Sequence, residues 1–155
     1  MDVFYYWKNH EADVKAGRIG HFKSTADKLT ELANGFPDFL WVFKTPRGRK
    51  GEVQLLAKLR WADKTTVALK PEPGHVYFHY DPADAQSVAF GDRGTSSAVE
   101  ATSRWVAHHF PRMLSANFQR TAGQEAIRGA ALTDLQRLAS KFATQPLSSF
   151  SGVGV

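Results

Sequence analysis

The chain contains no cysteine, so it can build neither a disulfide framework nor a thiolate metal site, and it has no cysteine nucleophile. That absence fits the cytoplasm, which is the expected compartment. No apolar run approaches the ~20 residues that a membrane span needs, and the opening Met1-Asp2-Val3-Phe4-Tyr5-Tyr6-Trp7 lacks the basic stretch of a signal peptide. A soluble protein with no membrane partner is expected. Gly-x-Ser-x-Gly, Ser-x-x-Lys and Gly-rich phosphate loops are missing as well, which removes the commonest signatures of a nucleophile or a phosphate cradle. Internal repeats and low-complexity segments are also lacking.

What is present is the material for one ordered core. At 155 residues with 43% hydrophobic and 12% aromatic content, about 68–70% of the surface of the unfolded chain can be buried in a single domain. Residues 1–145 form that domain in this reading, and the Ser/Gly/Val-rich residues 146–155 form a frayed tail. Twenty Lys and Arg against 15 Asp and Glu leave a formal charge of +5, which favours an anionic partner such as DNA or RNA.

Local patterning predicts an α+β fold. Residues 3–7 form an aromatic, β-branched run that reads as a first strand. Ser24-Thr25-Ala26-Asp27 has capping-box spacing and Asn34-Gly35 a helix stop, which predicts a helix over 24–34. Strands are expected at 39–43 and 52–61 around a turn at 45–51, and again at 65–69 and 75–80. Consecutive strands on short turns imply a curved antiparallel sheet. After a Gly/Asp/Ser-rich loop, Ser97 and Glu100 predict the start of a helix that stops at Pro111. Residues 123–128 read as a helical turn, and Thr133 as the cap of a last helix.

Few residues point to catalysis. The six histidines, His10, His21, His75, His79, His108 and His109, fall in no metal motif. On a strand, His75 and His79 would stand roughly 13 Å apart, too far to share an ion. No metal and no cofactor are expected. Asp81 and Asp84 sit where turn capping explains them. The hairpin cations Lys44, Arg47, Arg49 and Lys50 carry a stronger signal, because a loop with four positive charges can follow a phosphate backbone. Trp41, Trp61, Tyr77 and Tyr80 lie on or beside strands, like Tyr5, Tyr6 and Trp7. Alternation is expected to turn some of these rings to an open face, where they can stack on bases.

Trp7-Lys8-Asn9-His10-Glu11 after an aromatic strand resembles the start of an EVE domain, whose first strand ends in Trp and a Lys-Ser-Glu-Pro stretch. Residues 37–43 followed by 51–60 resemble the PUA-like sequence of strand, basic turn and long strand. Tyr80-Asp81-Pro82 is similar to a Tyr-Asp-Pro element of EVE domains. The resemblance covers residues 3–82. It implies a PUA-like curved or closed antiparallel sheet of five or six strands with three or four flanking helices. It also implies a non-catalytic nucleic-acid-binding module that holds a modified base in an aromatic pocket. In that picture Trp7 and Asn9 border the pocket, Trp41 or Trp61 forms a wall, and Tyr80 belongs to the ligand-binding set. Two alternatives stay open: a small enzyme using His21, His75 or His79 with Asp81 on an anionic substrate, and a protein-interaction domain with a flat apolar patch.

Overall fold

The computed structural model describes residues 1–25, 28–64, 69–91 and 95–147. Its fold is mixed α+β, a strongly curled half-barrel sheet with helices packed against it. The chain runs β1 (Asp2–Tyr6), α1 (His10–Lys15), β2 (His21–Ser24), α2 (Leu29–Ala33), β3 (Phe39–Lys44), β4 (Gln54–Ala62), β5 (Val76–Asp81) and β6 (Val88–Phe90). It continues through α3 (Ser96–His109), α4 (Pro111–Ser115), a 3-10 turn (Arg120–Gly123), β7 (Gln124–Ile127), α5 (Gly129–Ala139) and β8 (Thr144–Pro146). The main path of the sheet is β2-β5-β4-β3-β1-β7, while β6 pairs with β4 and β8 pairs with β6.

The central strands are apolar at nearly every position because both faces of the sheet are covered. On β1, Val3 and Tyr5 face one core while Phe4 faces the other. On β3, Leu40 and Val42 alternate with Trp41 and Phe43 in the same way. The first core lies inside the curl with Phe22, Phe78 and Tyr80. The second lies under the helices, where Phe4 stacks on Phe43 at 4.2 Å and on Trp105 at 6.2 Å between ring centroids. A register shift beside Val42 and Phe43 interrupts the β3–β4 ladder, and such a bulge strengthens local twist and curl. Gly48 and Gly51 supply the left-handed backbone of the intervening turn, at φ 77° and 86°.

Several expectations need correction. The β1–β3 pair is parallel, not antiparallel. The intervening segment, with α1, β2 and α2, is the long crossover that parallel neighbours require. Ser24 ends β2 and does not open a helix, and the following helix begins at Leu29. Residues 26 and 27 lie outside the described residues, as do 65–68 of the strand expected at 65–69. Residues 124–127 are a strand, because Gln124 to Ile127 pair with Tyr5 to Asp2. This long-range ladder outweighs a weak local helical preference. The helix expected from Ser97 is capped by Thr95, whose hydroxyl oxygen accepts a hydrogen bond from the Ala98 N–H at 3.3 Å. Thr133 is no cap. Helix α5 starts four residues before it, and its hydroxyl donates to the Gly129 carbonyl at 3.2 Å. Pro146 belongs to β8 and Leu147 is buried, so the ordered chain passes the expected boundary at 145. The rest of the expected tail, 148–155, lies outside the described residues. Among the described residues, no helix is long and apolar enough to cross a membrane.

Candidate functional site

The two end strands of the main path, β2 and β7, meet without a ladder between them. Side chains bridge the seam instead. The Gln124 carboxamide donates to the Ser24 hydroxyl at 2.7 Å, and Lys28 pairs with Glu125 at 2.9 Å. At this seam, beside the C-terminal end of β1, lies a cavity of about 90 Å³ lined by Tyr6, Lys8, Asn9, Lys23, Arg120 and Gln124, among others.

A strained loop shapes its rim. Asn117, Phe118 and Arg120 all adopt left-handed backbone, with φ of 51°, 55° and 52°, a conformation that costs of order 1–3 kcal/mol at a non-glycine residue. Packing holds it in place. Phe118 is buried, stacks on Tyr6 at 4.4 Å, and donates its N–H to the Met113 carbonyl at 2.9 Å. Behind the loop, a Cβ on Gly123 would lie 3.0 Å from both the Phe118 carbonyl oxygen and the Tyr6 Cβ. Only glycine fits there without displacing its neighbours.

The site is electropositive. Lys8 donates to the neutral Gln119 side chain at 2.9 Å, and Arg120 is exposed with no ion pair among the described residues. Lys23 is paired with Glu72 at 2.8 Å. The hydrogen bond from Lys23, followed by its charge, holds the Glu72 carboxyl below its ordinary range. Gln124 is only 4% exposed, and its side-chain oxygen has no hydrogen-bond partner. Buried amide groups are normally satisfied, and among the described residues this buried oxygen is not.

Of the residues expected at a binding site, only Asn9 lines this cavity, where it is exposed. Trp7 is 2% exposed in the inner core, with its indole N–H donating to Asp13 at 2.7 Å. Asp13 also accepts from Arg18 at 2.7 Å. Trp61 lies in the same core and donates to Asp63 at 3.0 Å. Tyr80 is fully buried against Phe22, and burial pushes its hydroxyl above the ordinary range. Trp41 faces the other core, donates to the buried Asp2 at 2.7 Å, and borders a separate groove. Trp7, Trp61 and Tyr80 lie on faces that turn to the inner core and Trp41 on a face that turns to the other, whereas Tyr77 on the opposite face of β5 stays half-buried.

The basic hairpin shares an end of the sheet with the cavity, since the parallel register sets Tyr6 beside Phe43 and the Tyr6 hydroxyl donates to Thr45 at 2.7 Å. Its charge is partly neutralised. Arg47 pairs with Glu11 at 3.0 Å across open solvent, and Arg49 pairs with Glu52. Lys50 is exposed, and Lys44 is half-buried.

Sequence reasoning missed Lys8, Lys23, Arg120 and Gln124. Lys8 stood beside Asn9 in the motif already singled out, but nothing local tied it to residues more than 100 positions away. The histidine and aspartate set does not form one closed pocket. His21 and His79 are cross-strand neighbours, His75 borders the cavity, and Asp81 caps a turn by accepting from the Ala83 N–H at 3.0 Å. Among the described residues, no group of three or more His, Asp or Glu side chains could hold a metal. No family model, curated protein or solved structure matches the chain.

Proposed function

We propose that this protein is a nucleic-acid-binding module, without catalysis of its own, which seats one phosphate or one base edge in the seam cavity and lets the neighbouring hairpin follow the backbone. The observation that carries it is the convergence of Lys8, Lys23 and Arg120 with the Asn9 and Gln124 amides on one small cavity. Charge-assisted hydrogen bonds of this kind suit phosphate oxygens, and the exposed Asn9 amide suits a base edge. At about 90 Å³ the cavity is well below the roughly 300 Å³ at which pockets begin to enclose a drug-sized ligand. A modified base would therefore be read by its edge, with Trp7 left in the core. The end of β1 contributes Lys8 and Asn9 to this role, and the cysteine-free composition is compatible with the cytoplasm.

The test is binding of fluorescent single-stranded DNA, single-stranded RNA and duplex across a salt series. Lys8→Gln combined with Arg120→Gln should lower the single-strand salt slope by about 0.7, since the one phosphate contact they share is lost. Binding to none of the three probes, or an unchanged slope in the folded double variant, would refute the proposal.

A further inference from the structure

A second and larger cavity, about 340 Å³, opens on the helix-covered side of the sheet between β3, β4, β6 and the end of α5. Its walls include Phe39, Trp41, Val88, Phe90 and Ala139, with Gln136 at the helix side and Lys58 on β4. Lys58 holds its ammonium 4.1 Å from the Phe39 ring centroid and 5.1 Å from that of Trp41. The Arg60 guanidinium stands 5.2 Å from the same Phe39 ring.

Two cations thus converge on one aromatic ring, and neither makes an ion pair among the described residues. The Lys58 charge acts only weakly on the Asp2 carboxyl, which is buried and hydrogen-bonded to the Trp41 indole. Ring faces attract cations, but they offer the Lys58 ammonium no oxygen acceptor. A carboxylate entering the groove would supply one. The volume falls within the range of small-molecule sites, and an apolar lining with a few polar groups is their usual composition.

We infer that this groove is a second ligand site, which takes a small organic anion: a carboxylate set against Lys58, carried on a flat apolar body that packs along Phe39 and Val88. The inference is independent of the role assigned to the seam cavity.

Benzoate is the probe, titrated into isotope-labelled protein while backbone amide shifts are followed. Saturable shifts are expected at Lys58, Val88 and Gln136. Neutral benzamide should bind about tenfold more weakly, because the charge-assisted contact is lost, and inorganic phosphate, with no apolar body, should give no saturable shift. Lys58→Gln should weaken benzoate by about tenfold while leaving oligonucleotide binding unchanged. Gln136→Glu, on the exposed side of α5, provides a second variant and should also weaken benzoate by opposing its charge. The inference fails if benzoate gives no saturable shift, if benzamide binds equally well, or if both folded variants bind benzoate like the parent. It also fails if an oligonucleotide moves the groove amides instead.

Discussion

Trp7 illustrates how one side chain can satisfy a motif and still belong to the core. Its indole packs edge-on against Phe22 and donates to Asp13, which in turn accepts from Arg18. Removing it leaves a cavity and an orphaned buried carboxylate oxygen together. Trp7→Ala should therefore cost about 3–5 kcal/mol of stability, measurable by urea unfolding. A cost below about 1 kcal/mol would instead place Trp7 among surface positions. His21 and His79, opposite each other on β2 and β5, carry a pH dependence. Burial, more than any neighbouring charge, holds both rings below the usual histidine range, and His21 lowers His79 further. The unfolded chain therefore binds more protons than the folded one at mildly acidic pH. The stability contributed by these two groups is complete above the unfolded value of about 6.5 and is lost as pH falls from there through the folded values. Unfolding free energy should decline from about pH 7 to about pH 5, and His79→Gln should flatten that decline. An equal decline in the variant would assign the effect to other groups.

At the scale of elements, caps and pairings decided what propensity left ambiguous. Helix α3 buries Ala98, Val99, Thr102, Trp105 and Val106 along one stripe, and the Trp105 indole donates to the Ala131 carbonyl at 2.9 Å, which ties α3 to α5. Its start is set by Thr95, so Thr95→Ala should cost about 0.5–2 kcal/mol. Thr133→Ala, in the exposed middle of α5, should stay within about 0.5 kcal/mol. Thermal or chemical unfolding of the two variants side by side checks both values, and a reversed order would contradict the cap geometry. The strand β7 has no comparable local signature. Its four residues are extended because β1 offers them a ladder, and the left-handed turns at Asn117, Phe118 and Arg120 deliver the chain to that edge.

For the whole molecule, the placement of charge matters more than its total. The excess of five positive charges is unevenly available, since Arg47 and Arg49 already have carboxylate partners whereas Lys8 and Arg120 have none among the described residues. Under the proposed function, neutralising Arg47 and Arg49 should lower the salt slope of oligonucleotide binding by less than neutralising Lys8 and Arg120, for which about 0.7 is expected on single strands. Salt titration of both double variants decides it, and a larger effect at the hairpin would move the main contact there.

Composition and local pattern by themselves determined the α+β class, the strands beginning near Val3 and Phe39, the glycine-bearing hairpin and the long helix after residue 95. Each depends on residues within a few positions of one another: apolar alternation, left-handed glycine, helical spacing. They also marked Asn9 by its place after the first strand. Tertiary structure alone decided that β1 and β3 run parallel, that residues 124–127 join the sheet, and that both faces of the sheet are buried. The last of these sent Trp7, Trp41, Trp61 and Tyr80 into the cores. It also decided the seam, because Lys8, Lys23 and Arg120 come from three distant segments and meet only when the curl brings β2 towards β7. A site formed across such sequence distances has no period and no spacing, so no local pattern in the chain could announce it.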